Sequence, residues 1–318
     1  MTPATRSSEE FLRGMPGPAG VARLARVTVL AAFGLIILGA VVRATGSGLA
    51  CPDWPLCHGR LIPPFQAQVL LEWLHRLVAF VVSLLMFGLT IAILARAELR
   101  RVLLPRLVLA LGLLIMQILL GALTVWKLLQ FGVVTWHLGN ALLLFAALLA
   151  IAERAQRLAD KGAYVRVALG PRIGLLSACG ATLLQMMLGG LVSTTHAGLA
   201  CPDFPGCHGV LMPPLEGLVG LQMIHRLGAY LLLALLVGVA FSAQRVEDPR
   251  VRATATVAPA LVLLQVVLGV FNVLLAVPVW VTAAHLATGS ALFGLLVLAT
   301  LRAFARPPAP SRSAEVPL

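Results

Sequence analysis

Eight stretches of this chain are apolar over about 20 residues or more, near 24–43, 69–94, 103–126, 133–153, 172–193, 219–242, 252–275 and 281–302. In a hydrocarbon layer about 30 Å thick every backbone N–H and C=O must be satisfied within the segment, so each stretch has to be a helix. With 60% hydrophobic and only 11% charged residues in 318, an ordinary soluble globule is excluded. The sequence therefore predicts an all-α polytopic membrane protein with eight transmembrane helices. The first stretch follows a charged leader, as a cleaved signal would, but its counterpart at 173–192 lies mid-chain and must be retained, so the first is expected to be retained too.

That counterpart exists because the chain repeats itself. The string Gly48-Leu49-Ala50-Cys51-Pro52-Asp53-Trp54-Pro55-Leu56-Cys57-His58-Gly59 returns as Gly198-Leu199-Ala200-Cys201-Pro202-Asp203-Phe204-Pro205-Gly206-Cys207-His208-Gly209, and Leu74-His75-Arg76 as Ile224-His225-Arg226. Four spans per half is an even number, so both halves enter the membrane in the same sense. The expected architecture is two tandem, parallel-repeat four-helix bundles. Residues 24–153 form the N-terminal bundle and 172–302 the C-terminal one, with an N-terminal segment at 1–23, a linker at 154–171 and a disordered tail at 303–318.

The formal net charge of +12 reports topology and not a nucleic-acid partner. Arg6, Arg13, Arg23 and Arg26 stand at the entry to span one, and Arg96, Arg100, Arg101 and Arg106 between spans two and three. Arg154, Arg157, Lys161, Arg166 and Arg172 lie between four and five, Arg245, Arg250 and Arg252 between six and seven, and Arg302, Arg306 and Arg312 after eight. All fall on one side, which the positive-inside rule makes cytoplasmic. Both termini are then inside a cell membrane and both cysteine loops face outward.

Four of the five cysteines sit in those outer loops, consistent with an oxidising exterior. Cys51 with Cys57, and Cys201 with Cys207, each close a short loop suited to a local disulfide; a metal site or a redox-active thiol pair are the other readings. The Cys57-His58 step resembles a c-type haem attachment, but five residues separate the cysteines where that motif has two. Cys179, inside span five, reads as packing.

Every even-numbered span carries one histidine near its outer end: His75, His137, His225 and His285. Ionisable side chains inside a membrane are costly and survive where they face an interior with a partner. Two imidazoles on facing helices form the axial pair of a b-type haem, and a four-helix bundle can cage the porphyrin. Gly121, Ala122, Gly139, Ala141, Gly269 and Gly289 would let a flat ring approach the backbone, although they also serve simple helix packing. Arg76 and Arg226, next to the first histidine of each pair, are candidates to bind a haem propionate or to snorkel to the interface. Arg43, whose counterpart in the second copy is Ser193, reads as a snorkelling residue; His58 and His208 read as loop packing. The sharpest difference between the halves is Glu72, three residues before His75, against Gln222. A carboxylate there can exchange a proton where an amide cannot, so Glu72 is the catalytic candidate.

Glu72-Trp73-Leu74-His75-Arg76, Thr135-Trp136-His137, His225-Arg226, His285 and the two Cys-Pro-Asp loops together resemble the haem A synthase family over residues 24–302. The resemblance implies oxidation of the C8 methyl of haem O by two successive hydroxylations, the gem-diol losing water to leave a formyl group. It implies Glu72, His75 and His137 in the substrate-haem half, and His225 and His285 as ligands of a bound haem b. It also implies that the product serves terminal oxidases and that haem O synthase is a partner, with the electron donor unspecified; a homo-oligomer is compatible with the sequence. Two other readings stay open: a dihaem b-type cytochrome passing electrons between quinol and an outer acceptor, which expects equivalent halves, and a repeat-built transporter, which expects broken helices near the midplane.

Overall fold

The computed structural model describes residues 16–160 and 165–305, all of whose regular structure is helical. The eight long helices are α1 (Pro18–Ala44), α2 (Ala67–Leu94), α3 (Ala97–Trp126), α4 (Phe131–Asp160), α5 (Leu169–Thr194), α6 (Gly217–Ala243), α7 (Pro249–Leu274) and α8 (Val279–Ala303), with a 3-10 turn at Ala197–Leu199. Each is long and apolar enough to cross a membrane. They overrun the predicted spans because helical backbone continues into the polar ends, where apolarity fades but hydrogen bonding does not. The expectations placed on Arg6, Arg13, Lys161, Arg306 and Arg312, and the disordered tail from 306 onward, lie outside the described residues.

Local chemistry starts and stops these helices. Pro18 and Pro249 sit in the first turn, where a missing N–H costs nothing. Asp248 caps α7 by accepting from the Arg250 and Val251 N–H groups at 2.9 and 3.2 Å. The links α3–α4 and α7–α8 each turn through two consecutive left-handed residues, Leu128 and Leu129 in one, Ala276 and Val277 in the other. Leu129 thereby packs against Gly48, which has no Cβ to obstruct it.

Within the first half α1 packs on α2, α2 on α3, α3 on α4 and α4 back on α1; α5 to α8 close the same ring. The rings meet through α1 and α4 on one side and α5 and α8 on the other. In a membrane, helices gain nothing from leaving water together, so close packing of small side chains must hold them. Ala22, Ala25, Ala110 and Ala155 are fully buried in the first core, and Ala178, Ala243, Ala255 and Ala299 in the second. At the ends of the basic loops, Arg302 of α8 donates from Nε and Nη2 to the two oxygens of Glu153 on α4, at 3.1 and 2.9 Å, and Arg157 adds a bond at 3.0 Å. At the opposite end Thr135 and Thr194 pair at 3.4 Å across the same seam.

Candidate functional site

The two cysteine loops are built alike. Cys51–Cys57 and Cys201–Cys207 are disulfides, each with Cα atoms 4.7 Å apart. Asp53 accepts from the His58 and Gly59 N–H groups at 2.6 and 2.8 Å, and Asp203 from those of His208 and Gly209, at 2.8 Å each. These bonds, from Gly59 and from Gly209 above all, hold both carboxyls below the usual carboxylate range. His58 and His208 turn their rings onto the carbonyls of Ala50 and Ala200, at 2.9 and 3.0 Å.

Each loop is stapled to the helix below it by an arginine. Arg76 donates from Nη1 to the carbonyls of Asp53 and Leu56, and from Nη2 to that of Cys51 and to Glu72 Oε1 at 2.6 Å. Arg226 repeats this on Pro205, Gly206 and Cys201. The forks expected to meet a haem propionate are therefore turned into the loops. A backbone carbonyl binds a guanidinium as well as a carboxylate does in geometry, and three converge on each fork.

Glu72 is buried at 4% exposure and spends both oxygens: Oε1 on Arg76, Oε2 on the Cys51 N–H at 2.8 Å. Gln222, its counterpart, reaches the Gly198 carbonyl at 3.5 Å and leaves Oε1 buried without a partner. The halves thus differ in polarity at one matched place directly beneath the disulfide.

The histidines stand at matched depth. His75 and His225 lie eight residues beyond the helix starts Ala67 and Gly217, His137 and His285 six beyond Phe131 and Val279. His75 and His137 are within electrostatic reach of each other across the first ring, as are His225 and His285 across the second. Each imidazole faces a glycine on the preceding helix. A Cβ at Gly39 would come 3.3 Å from His75 Cε1, at Gly121 3.4 Å from His137, at Gly189 2.9 Å from His225, and at Gly269 3.6 Å from His285. Nδ1 of His75 and of His285 is buried with no partner. The other two rings are gripped: Gln117 Nε2 lies 3.3 and 3.2 Å from the His137 nitrogens, and Gln185 Nε2 3.1 Å from His225 Nδ1. Asn140 fixes Gln117 by donating to its Oε1 at 2.7 Å.

No three His, Cys, Asp or Glu side chains converge among the described residues, so the histidines come in twos on separate helices. Two imidazoles in each ring of helices, each set against a glycine, with Nδ1 of His75 and of His285 buried and unpartnered among the described residues, fit the chemistry of a haem-iron ligand pair. Gly39 and Gly189 were missed from sequence although each precedes its histidine by 36 residues, a recurrence that could have exposed them. Gln117 and Gln265 recur likewise, 20 residues before His137 and His285. Gln185 has Leu35 as its counterpart, so no repeat signal marks it.

Residues 22–297 match the family described as cytochrome oxidase assembly protein. A protein named Heme A synthase from Geobacillus thermodenitrificans is 32% identical over 302 residues, covering 92% of this chain and 95% of that protein. Another of that name from Geobacillus kaustophilus is 30% identical over 302 residues, covering 92% and 94%. One from Symbiobacterium thermophilum is 33% identical over 247 residues, covering 74% and 79%.

Proposed function

Because the chain belongs to the cytochrome oxidase assembly protein family (COX15-CtaA), we infer that it is a haem A synthase, an enzyme of haem A biosynthesis in a multi-pass membrane fold. The observation that carries this reading to particular residues is the pair of opposed histidines in each ring, every one set against a glycine. The reaction we assign is oxidation of the C8 methyl of haem O to a formyl group through two successive hydroxylations. The first ring would hold the substrate haem between His75 and His137, and the second a haem b between His225 and His285. Haem iron supplies the redox chemistry that no side chain can. The protein's part would be to ligate each iron with one histidine pair, with the four glycines letting the imidazoles lie against the neighbouring backbone and the stapled loops covering the outer end.

Glu72 is the group assigned to proton handling. It lies one helical turn from His75, on the same face of α2, with Oε1 on Arg76 and Oε2 on the Cys51 N–H. The matching amide, Gln222, suits a half that only carries electrons. The dihaem cytochrome reading expects no such difference, and the relatives' names also favour the synthase. Haem O synthase is proposed as the supplier of substrate. The basic loops point to a cytoplasmic side holding both termini, and the disulfides to an outer face of the cell membrane.

Expression in cells supplied with haem O, followed by mass analysis of the extracted haems, tests the assignment. Haem A or its alcohol precursor is the expected product. Recovery of unmodified haem alone under aerobic turnover overturns it.

A further inference from the structure

With Arg76 and Arg226 turned into their loops, a half-buried guanidinium at the outer end of the first ring has no acceptor among the described residues. Arg43, in the last turn of α1, makes no hydrogen bond or ion pair through its side chain among the described residues. Glutamate and loop carbonyls satisfy Arg76 on the neighbouring helix, and none of them is bonded to Arg43. A guanidinium at a membrane boundary that is half withdrawn from water and unpaired is costly unless something else meets it.

Its position indicates what. Arg43 is four residues beyond Gly39, so the two share one face of α1 and Arg43 stands about 6 Å further out. Gly39 is the residue that abuts the His75 ring. A ligand bound at His75, whose ring rests on Gly39, would therefore have Arg43 above its outward edge. In the second half the same place, four beyond Gly189, holds Ser193. A second cation repeats the asymmetry: Lys127, exposed at the end of α3 diagonally across the ring, corresponds to Leu275.

We propose that Arg43, with Lys127 opposite, binds the carboxylate groups of the haem substrate at the mouth of the first ring. The proposal rests on the reading of that ring as the substrate site and names the residues that anchor the substrate's anionic edge. A guanidinium fork matches a carboxylate in two parallel hydrogen bonds, whereas Ser193 supplies no charge, so the second ring lacks this anchor.

The test is a titration of purified enzyme, its second site already filled, with iron protoporphyrin and with its dimethyl ester, read by the absorption of newly ligated haem. His75→Ala identifies uptake by the first ring. Wild type is expected to bind the free acid roughly 10- to 100-fold more tightly than the ester, the range of one charge-assisted contact. Arg43→Ser, which installs the residue the fold already tolerates in the second half, should lose most of the preference, Arg43→Ser with Lys127→Leu should bind both alike, and Arg43→Lys should keep part of the preference. Equal discrimination by wild type and Arg43→Ser overturns the proposal and leaves Arg43 to a lipid phosphate or water, while the substrate-site reading stands. No uptake sensitive to His75→Ala in wild type overturns that reading, and this proposal with it.

Discussion

Glu72 Oε2 accepts the backbone N–H of Cys51 at 2.8 Å, so the one carboxylate that separates the two halves is tied directly to a disulfide loop. The other oxygen meets Arg76, which itself holds that loop. Structure and chemistry therefore share one side chain, and substitution has to separate them.

Glu72→Gln should do so. Glutamine can still accept the Cys51 N–H, and the second half folds around Gln222 in the same place. The ion pair with Arg76 is lost, yet three loop carbonyls still hold that guanidinium. We expect the thermal midpoint to stay within a few degrees of wild type and haem binding by the second ring to persist. Conversion should fall by about 10²-fold or more, the scale of a lost proton-transfer group. Mass analysis of extracted haems checks this; retained conversion assigns Glu72 to loop anchoring alone.

The glycines facing the histidines make a graded series. Gly189→Ala puts a Cβ 2.9 Å from His225 Cε1, too close without movement, while Gly269→Ala puts one 3.6 Å from His285, an ordinary contact. Overpacking of this kind costs about 1–3 kcal/mol. Gly189→Ala should lower haem occupancy of the second ring several-fold or shift its midpoint potential, with Gly269→Ala close to wild type. A reversed order in redox titration would show that the glycines do not seat the ring.

Replacing both cysteines of one loop by serine removes a short cross-link worth about 2 kcal/mol by chain-entropy reasoning. Arg226 still gathers the carbonyls of Cys201, Pro205 and Gly206, so Cys201→Ser with Cys207→Ser should lower the thermal midpoint while leaving bound haem spectrally unchanged. Loss of haem in proportion to loss of stability would mean that the loop caps the site through the disulfide itself.

Acid should loosen the loops at one step. Asp53 titrates below its ordinary value because the Gly59 and His58 N–H groups favour its charged form. Its contribution is therefore complete above the unfolded carboxyl value near ~3.9, flat through neutrality, and lost as pH falls through the lower folded value. Asp53→Asn should abolish that step. The ratio of amide exchange at residues 57–60 between variant and wild type, followed from pH 6 to pH 3, is expected to converge towards one at the acid end. A constant ratio would remove Asp53 from the acid response.

Some of this was open to reading in the chain and some was not. Apolar runs long enough to span a membrane announce helices because hydrocarbon leaves the backbone no alternative, and all eight are present. The disulfides were legible because the cysteines of each loop are six positions apart, a local closure. The recurrence of histidines at matched depth needed only counting. Arg76 and Arg226 illustrate the limit: their adjacency to a histidine suggested a shared ligand, but adjacent residues on a helix point about 100° apart, and the forks rise into the loops instead.

By itself, the sequence determined what is local or repeated: eight spans, two similar halves, one histidine in each even-numbered span, two cysteine pairs, and Glu72 against Gln222. The tertiary structure decided which faces meet. Gly39 against His75, Gln185 on His225, Cys51 on Glu72 and Arg43 without a partner among the described residues depend on how each helix is rotated about its axis. That rotation is set jointly by side-chain packing from two or three neighbouring helices, and no single segment encodes it.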